Sequence, residues 1–415
     1  MSSYSPVPAS DRAPRIGDRA ARVLTTELAR HAGPKKGVLV DVAAGSTVLA
    51  AALDTLLPGD TLTVVPEPGA AAAVRQRVQA RGDWVADRVR VVDSVADADP
   101  ADVVVVAEPL TGSGEAARAR IDELAKRLAD GGVLAVAGRY GPGWADSAAD
   151  ELSRQAAFYG VGSDVVLRNQ PPVHVHRLRF NAADPAVADR LAPAFRTSSV
   201  PLTRDMHIDS NGVAAAGIAL GLAAFAKLTR PKSKMWLLPA LAAAPVAAFF
   251  RDPQRDVPSD ARDVLAASDG RVLSVQRVRD ERFGPDEFLR VAVFLSVLDV
   301  HVNRSPVAGR VADYFVETGG YAPAMKPEAE HNVAAYTVLD TAHGRVVVVQ
   351  RTGLLARRIV HRAPLGSLLA RGERFGLIRF GSRTDVYLPA SAAQALVAPG
   401  DRVLGGVSVI ARWND

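Results

Sequence analysis

The dipeptide Gly381-Ser382, set in FGLIRFGSRTDVYLP at residues 375–389, places a hydroxyl directly after a residue with no side chain. A serine hydroxyl can attack the carbonyl before it only where the backbone bends and approaches closely, and glycine obstructs neither. The resulting ester can lose its oxygen by β-elimination, and the dehydroalanine left behind hydrolyses to a ketone. Taken alone, a Gly-Ser pair is far more often an ordinary turn. Two other residues of suitable type lie upstream: His301 ends an apolar run in LDVHVNR, and Asp269 sits in ASDG. Imidazole titrates near neutral pH and suits proton transfer, yet a half-buried structural histidine has the same local pattern, and an aspartate before glycine also starts turns. The chain has no cysteine, which removes disulfides, thiolate nucleophiles and thiolate metal sites. Covalent chemistry falls to Ser, Lys, His or a carboxylate, and no metal site is expected.

These residues belong to a longer ordered set. FFRDPQR at 249–255, ASDG at 267–270, FLSVLDVHVNRSPVAG at 294–309, QRTGLLARRIV at 350–360 and the FGSR segment follow one another along the chain. In this order they resemble phosphatidylserine decarboxylase proenzymes over residues 205–415, and most closely the short prokaryotic form, whose cleavage motif reads FGSR. The resemblance implies self-cleavage between Gly381 and Ser382 and conversion of Ser382 into a pyruvoyl group, with no external cofactor. That ketone would condense with the amine of phosphatidylserine and take up the electron pair left by carbon dioxide, yielding phosphatidylethanolamine. For His301 the resemblance implies protonation of the carbanion, and for Asp269 a place in the self-cleavage apparatus as a partner of the serine. Larger members carry a second histidine three positions after the first. Arg304 stands there in this chain, so their Asp–His–Ser arrangement needs a substitute, for which His331 in EAEHN is a candidate. Substrate contacts are expected from Arg357, Arg358 and Asn303, because a guanidinium fork matches both carboxylate and phosphate. A solvated basic face would explain the two arginines equally well.

Residues 20–180 alternate short β-branched runs with Ala-rich helical stretches, which is the pattern of a doubly wound α/β sheet. Strands are expected at 37–42, 61–65, 89–92, 102–107, 132–137, 163–168 and 174–180, with a helix over 115–129. VLVDVAAGSTVLAAAL at 38–53 resembles the first motif of Rossmann-like methyltransferases: Asp41 and Gly45 match, while Ala43 and Thr47 replace glycines. The resemblance implies an S-adenosylmethionine site in which Glu67 would hold ribose hydroxyls and Asp93 the adenine amine. The two lost glycines add bulk where the cofactor would lie and argue against binding.

Residues 181–210 lose the alternation and are expected to form a linker. Two apolar stretches follow at 212–228 and 235–250, separated by the basic turn KLTRPKSK. Each is at or just below the length of a membrane span, and Gly, Ala and Pro239 dilute the hydrophobicity. The expectation is therefore a helical hairpin over 211–250 lying in one leaflet, with a buried helical pair as the soluble alternative. From 251 to 415 short strands punctuated by Gly and Pro suggest a mostly antiparallel β catalytic domain, with strands at 264–267, 271–278, 288–294, 309–316, 334–340, 344–351 and 375–380.

The formal charge of +5 suits an anionic membrane. Basic residues are scattered among acids rather than grouped with stacking aromatics, so nucleic acid is not an expected partner. The first twenty residues lack the apolar core of a secretory signal. The expected location is the cytoplasmic face of the cell membrane, the expected assembly a heterodimer of the two cleavage fragments, with higher homo-oligomers left open. Two rival readings stand beside this one: a methyltransferase whose C-terminal domain is only a membrane anchor, and a pyruvoyl decarboxylase of a small amino acid.

Overall fold

The computed structural model describes residues 16–141, 147–194, 199–203, 205–354, 358–379 and 382–414. Two compact units divide the chain, Met1–Ala182 and Ala183–Asp415.

In the first unit, seven strands, β1 (Lys36–Val42), β2 (Thr61–Pro66), β3 (Val89–Val91), β4 (Ala101–Val106), β5 (Leu128–Arg139), β6 (Gly160–Val166) and β7 (Val173–Leu178), form one sheet in the order β3-β2-β1-β4-β5-β7-β6. Pairings from β3 to β5 are parallel, and β7 runs antiparallel to both of its neighbours. Successive valines of β1 and β4 point to opposite faces, and both faces are buried. Val38, Val40, Val104 and Val106 enter one apolar cluster. Leu39, Val42, Val103 and Val105 enter the other. Near-continuous apolar strands covered on both sides are what a doubly wound sheet requires. This is the Rossmann-like methyltransferase fold expected from the sequence, with the order of the sheet reversing between β1 and β4. The helix expected over 115–129 spans Gly114–Ala125 and stops early, because Leu128 already pairs with Ala101 as the start of β5.

The second unit contains β8 (Ser199–Pro201), β9 (Met206–Asp209), β10 (Arg251–Pro253), β11 (Asp263–Leu265), β12 (Gly270–Arg279), β13 (Glu287–Leu295), β14 (Val302–Arg304), β15 (Gly309–Glu317), β16 (Ala334–Thr341), β17 (Gly344–Arg351), β18 (Ile359–His361), β19 (Leu368–Leu369), β20 (Arg374–Ile378), β21 (Ser382–Pro389), β22 (Ala393–Ala395), β23 (Arg402–Val403) and β24 (Val409–Trp413). Its main sheet has eight antiparallel strands in the order β19-β15-β16-β17-β21-β13-β12-β23, and a small sheet is ordered β14-β20-β18. Strand β21 lies between β17 and β13, paired on both sides. Alternate residues divide its two faces. Val386 and Leu388 join Val291, Val293, Val348 and Phe375 in the larger core, while Tyr387 joins Phe283, Tyr336 and Val349 on the other side.

The stretch expected to be a linker, 181–210, instead holds a 3₁₀ turn at Pro185–Arg190 and strands β8 and β9. Pairing of β9 with β10 satisfies its backbone and closes the base of a helical hairpin, Ser210–Thr229 and Leu237–Phe249. Asp209 caps the first helix, accepting from the Asn211 amide at 2.9 Å. Gly212 and Ala223 are the buried residues of the first helix, Ala243 and Phe249 those of the second. Ile218, Leu222, Phe225, Leu228, Leu238 and Leu241 are exposed. A buried helical pair is thus not what forms. The first helix is long and apolar enough to cross a membrane.

Candidate functional site

Strand β20 ends at Ile378 in the small sheet and β21 begins at Ser382 in the large one, so only residues 379–381 separate these two strands. Phe380 and Gly381 lie outside the described residues, as does Arg357. Ser382 is fully buried opposite Leu295 of β13. Its Oγ has no hydrogen-bond partner among the described residues. A buried polar group left unsatisfied costs about 1–3 kcal/mol, so a serine kept there calls for a functional reason.

The turn into β12 carries Asp269. Gly270 has φ +148°, and a Cβ there would lie 2.0 Å from the Phe294 carbonyl oxygen, so this position must be glycine. Ser268 Oγ lies 2.7 Å from Thr384 Oγ1, which ties the turn to β21 two residues beyond Ser382 and on the same face. The Asp269 carboxylate is held by Arg255, at 2.5 Å and 2.8 Å, and by the Gly405 amide at 2.8 Å. Its partner is thus an arginine, and its turn reaches β21 through Ser268.

Arg304, where larger relatives have histidine, is buried and donates to Asp252 Oδ1 at 3.2 Å and the Pro253 carbonyl at 2.8 Å. Burial, and then the charge of Arg374, push its pKa down, while Asp252 works in the opposite direction. His331 lies elsewhere. Arg383 points to the face of β21 opposite Ser382 and bonds Glu330 at 2.9 Å, and the exposed His331 adjoins that glutamate in a cleft lined by Arg290, Arg351 and Tyr387. Strand alternation therefore removes His331 as a base for Ser382.

His301 is 2% exposed. Its Nδ1 donates to the Asp299 carbonyl at 2.9 Å, and its ring packs on Phe249 with centroids 4.3 Å apart. Its carbonyl accepts from the Ile378 amide at 3.2 Å, joining it to the last residue of β20. Loss of solvent lowers the imidazole pKa from 6.5 to about 4, outweighing the bond and charge of Asp299 that act to raise it. At neutral pH His301 is therefore uncharged, with its proton on Nδ1. The shift has a consequence for stability. Since the folded pKa is depressed, the unfolded chain binds the proton first as pH falls, and the stabilisation present above pH 6.5 is lost toward pH 4. Wild type should lose on the order of 2 kcal/mol more than His301→Gln between pH 7 and pH 5 in urea unfolding; equal losses would refute this.

Asn303 is fully buried, and its Oδ1 accepts from Gln350 Nε2 at 2.6 Å. Arg358 is exposed, its carbonyl accepting from the Arg379 amide at 3.2 Å. Asn303, His301, Asp269 and Ser382 are thus placed on the strands and turns that meet at β20 and β21, while Arg358 is on the surface. Arg255 and Gln350 were not singled out from the sequence, although each lies inside a quoted motif, FFRDPQR or QRTGLLARRIV.

In the first unit Asp41, next to last in β1, has φ 57°, and its carboxylate bonds Arg120 at 2.7 Å. Arg77 donates to the Ala44 carbonyl at 3.0 Å, and Thr47 Oγ1 donates to the Ile16 carbonyl at 2.6 Å. Gly45 is exposed with open space around it, Glu67 is half-buried, and exposed Asp93 is 3.8 Å from Arg75. The strand ends do bring the four expected positions to one edge. Asp41 is nevertheless paired with Arg120, and Ala43 and Thr47 stand where the motif has glycines, so the residues present do not fit this cofactor.

A family model described as phosphatidylserine decarboxylase matches residues 243–411. The phosphatidylserine decarboxylase proenzyme of Symbiobacterium thermophilum is 50% identical over 166 residues, 40% of this chain and 77% of the relative. That of Thermobifida fusca is 40% identical over 223 residues, 54% of this chain and 94% of the relative. Among solved structures, the chain is similar to mitomycin 7-O-methyltransferase MmcR (18% identity, 39% of this chain and 56% of that one, TM-score 0.30). An O-methyltransferase from Bacillus cereus is similar at 13% identity, over 42% of this chain and 84% of that one, TM-score 0.30. The fold of the first unit rests on its own strand order. The relatives define a class of carboxy-lyases made as proenzymes. This chain belongs to the phosphatidylserine decarboxylase family.

Proposed function

We propose that the second unit cuts its own backbone between Gly381 and Ser382, carries a pyruvoyl group at position 382, and converts phosphatidylserine to phosphatidylethanolamine and carbon dioxide at a membrane surface. The observation that carries this reading is the Ser382 hydroxyl, sealed from water and without a partner among the described residues, at the first position of a central strand. Oγ adds to the preceding carbonyl and the peptide nitrogen leaves, giving an ester. Loss of the Cα proton then expels the ester oxygen from Cβ, and hydrolysis releases ammonia and leaves the ketone. Once formed, the pyruvoyl group supplies an electron sink for the pair freed by decarboxylation.

The remaining roles fall to the chain's own residues. His301, held by the Asp299 carbonyl and Phe249, takes up and returns protons beside this centre. Arg255, Asp269 and Ser268 hold the turn that braces β21. Arg357 and Arg358 meet the headgroup's carboxylate and phosphate, whereas Asn303 acts from inside the site. Pairing on both sides keeps fragment 382–415 in the sheet after the cut. Ion pairs Arg383–Glu330 at 2.9 Å and Arg351–Asp385 at 3.0 Å join the two fragments. The exposed apolar hairpin with its basic turn, Lys227, Arg230, Lys232 and Lys234, lies in the cytoplasmic leaflet against anionic lipid. It ends at Phe249, on the ring of His301, which favours a lipid over a free amino acid as substrate. The Arg120–Asp41 pair and the loss of two motif glycines speak against S-adenosylmethionine in the first unit. Intact mass spectrometry of purified protein tests the reading: fragments 1–381 and 382–415 are expected, the smaller one blocked at its N-terminus. An active preparation containing only the full-length chain would end it.

A further inference from the structure

Strands β18 and β20 pair with Ile359 opposite Ile378. One step further the Arg379 amide donates to the Arg358 carbonyl at 3.2 Å, so these two arginines stand directly opposite each other. Alternation puts Arg358, Val360 and Arg362 on one face of β18, and Leu377 and Arg379 on the matching face of β20. The hairpin base covers that face: Val360 and Leu377 pack with Phe249 and Phe250, and the Arg379 guanidinium lies over the Phe250 ring, 5.9 Å from its centre. The three arginines are not equivalent. Arg362 is neutralised by Asp209, with one bond at 2.9 Å. Arg379 donates to the neutral Asn211 Oδ1 at 2.6 Å, and its Nε is buried without a partner among the described residues. Arg358 is exposed, and no carboxylate among the described residues pairs with it.

Like charges directly opposite one another in a ladder are destabilising. Burial, and then the charge of Arg358, push the Arg379 pKa down from its usual value, while Asp209 acts the other way. The pair therefore lacks the anion that would relieve its repulsion, at the foot of an exposed apolar hairpin. A guanidinium fork suits carboxylate and phosphodiester alike, and the reaction separates the two. The substrate carboxylate gives up its charge as carbon dioxide leaves, so an arginine bonded to it would hold the ground state more tightly than the transition state. The phosphodiester keeps its charge from substrate to product, and only an oxygen and two carbons separate its phosphorus from the reacting amine. Phe250 lies edge to face with Phe249, centroids 5.0 Å apart, and Phe249 packs on His301. Arg379 and His301 thus each meet one ring of the same aromatic pair.

We propose that Arg379 and Arg358 together hold the phosphodiester of the lipid substrate at the hairpin base, with the acyl chains on the exposed apolar hairpin. Asp209 keeps Arg362 out of this role by pairing with it. The inference rests on the decarboxylase reading and names where that site takes the headgroup.

The probe is dihexanoylphosphatidylserine below its micellar concentration, so that attraction to a charged membrane surface does not enter. Its binding to the uncut Ser382→Ala chain is measured by calorimetry with Arg379→Gln, Arg379→Lys or Arg358→Gln added. Its KM and kcat are measured in the same variants with Ser382 present, counting only the cleaved molecules seen by intact mass. Each glutamine variant should weaken binding and raise KM about tenfold. Turnover should stay within about twofold, because contacts to the phosphate hold substrate and transition state alike. Arg379→Lys keeps the charge but loses the fork, and should fall between. Melting without lipid checks the fold, and if Arg379→Gln melts early, the exposed Arg358 carries the test. Unweakened binding in the glutamine variants would overturn the proposal. A fall in kcat at unchanged KM would do so too, since the arginines would then act on the reacting carboxylate. Equally tight binding of inorganic phosphate would make this a site for free anions and overturn it. Weakened binding in the uncut chain with an unchanged KM after cleavage would assign the pair to the new carboxylate at the end of fragment 1–381, again against the proposal. A chain that binds the lipid through both arginines yet never cuts itself would sustain this inference and remove the self-cleavage reading.

Discussion

Ser382→Ala is expected to yield a single uncut chain with no measurable phosphatidylserine decarboxylation. Alanine has no oxygen to attack the preceding carbonyl, and without the ester there is no elimination and no ketone. Nothing nearby can substitute, because the chain has no cysteine and the neighbouring hydroxyl of Thr384 is bound to Ser268 at 2.7 Å. Losing the electron sink removes the whole catalysed route, and enzymatic accelerations of about 10⁶-fold or more lie between that route and background. The fold should survive: the Ser382 hydroxyl has no partner among the described residues, so its removal breaks no hydrogen bond and relieves an unsatisfied group, worth on the order of 1 kcal/mol. Intact mass and release of labelled carbon dioxide from phosphatidylserine vesicles are the measurements. Turnover by a well-folded Ser382→Ala protein would mean that the reactive centre lies elsewhere.

Asp269→Ala should produce the largest loss of stability among the site residues. Arg255 and Asp269 have side chains 10% and 7% exposed, and the carboxylate also accepts from the Gly405 amide. Removing it strands a guanidinium and an amide away from water, which costs on the order of 3–5 kcal/mol, a fall of roughly 10 °C for a unit of this size. Cleavage should fall with it, since the same turn carries Ser268 to Thr384. The double variant Asp269→Ala/Arg255→Met separates two roles. If both stability and cleavage return, the aspartate works by holding the turn. If stability returns but cleavage does not, its carboxylate acts on the serine itself. A single variant that melts like wild type would contradict the burial argument.

The hairpin and the site are one construction. Phe249, the last residue of the second helix, contacts His301, and Phe250 packs with Leu377 of β20. Arg362 holds the Asp209 cap at the other end of the hairpin base, with one bond at 2.9 Å. An exposed apolar element is thereby fixed to His301 and to the strand that precedes Ser382 rather than tethered by a loose segment.

Much of this was legible in the chain alone, and for local reasons. The order of motifs around Gly381-Ser382 identified the family, the runs of valine named a doubly wound sheet, and two apolar stretches around KLTRPKSK named a hairpin, because composition and short-range spacing carry those signals. What only the tertiary structure decided depends on residues far apart in sequence. The expected strand at 375–380 ends at Ile378, and β21 itself was absent from the expected strands, because Arg383 and Asp385 alternate as on a solvated face; Glu330 and Arg351 bury them as ion pairs. The same one-residue alternation sends His331 to the far face. Arg255 claims Asp269, and Arg120, 79 residues away, claims Asp41. Pairing of charges across folded distance leaves no periodicity to read, so it enters only when the sheets assemble.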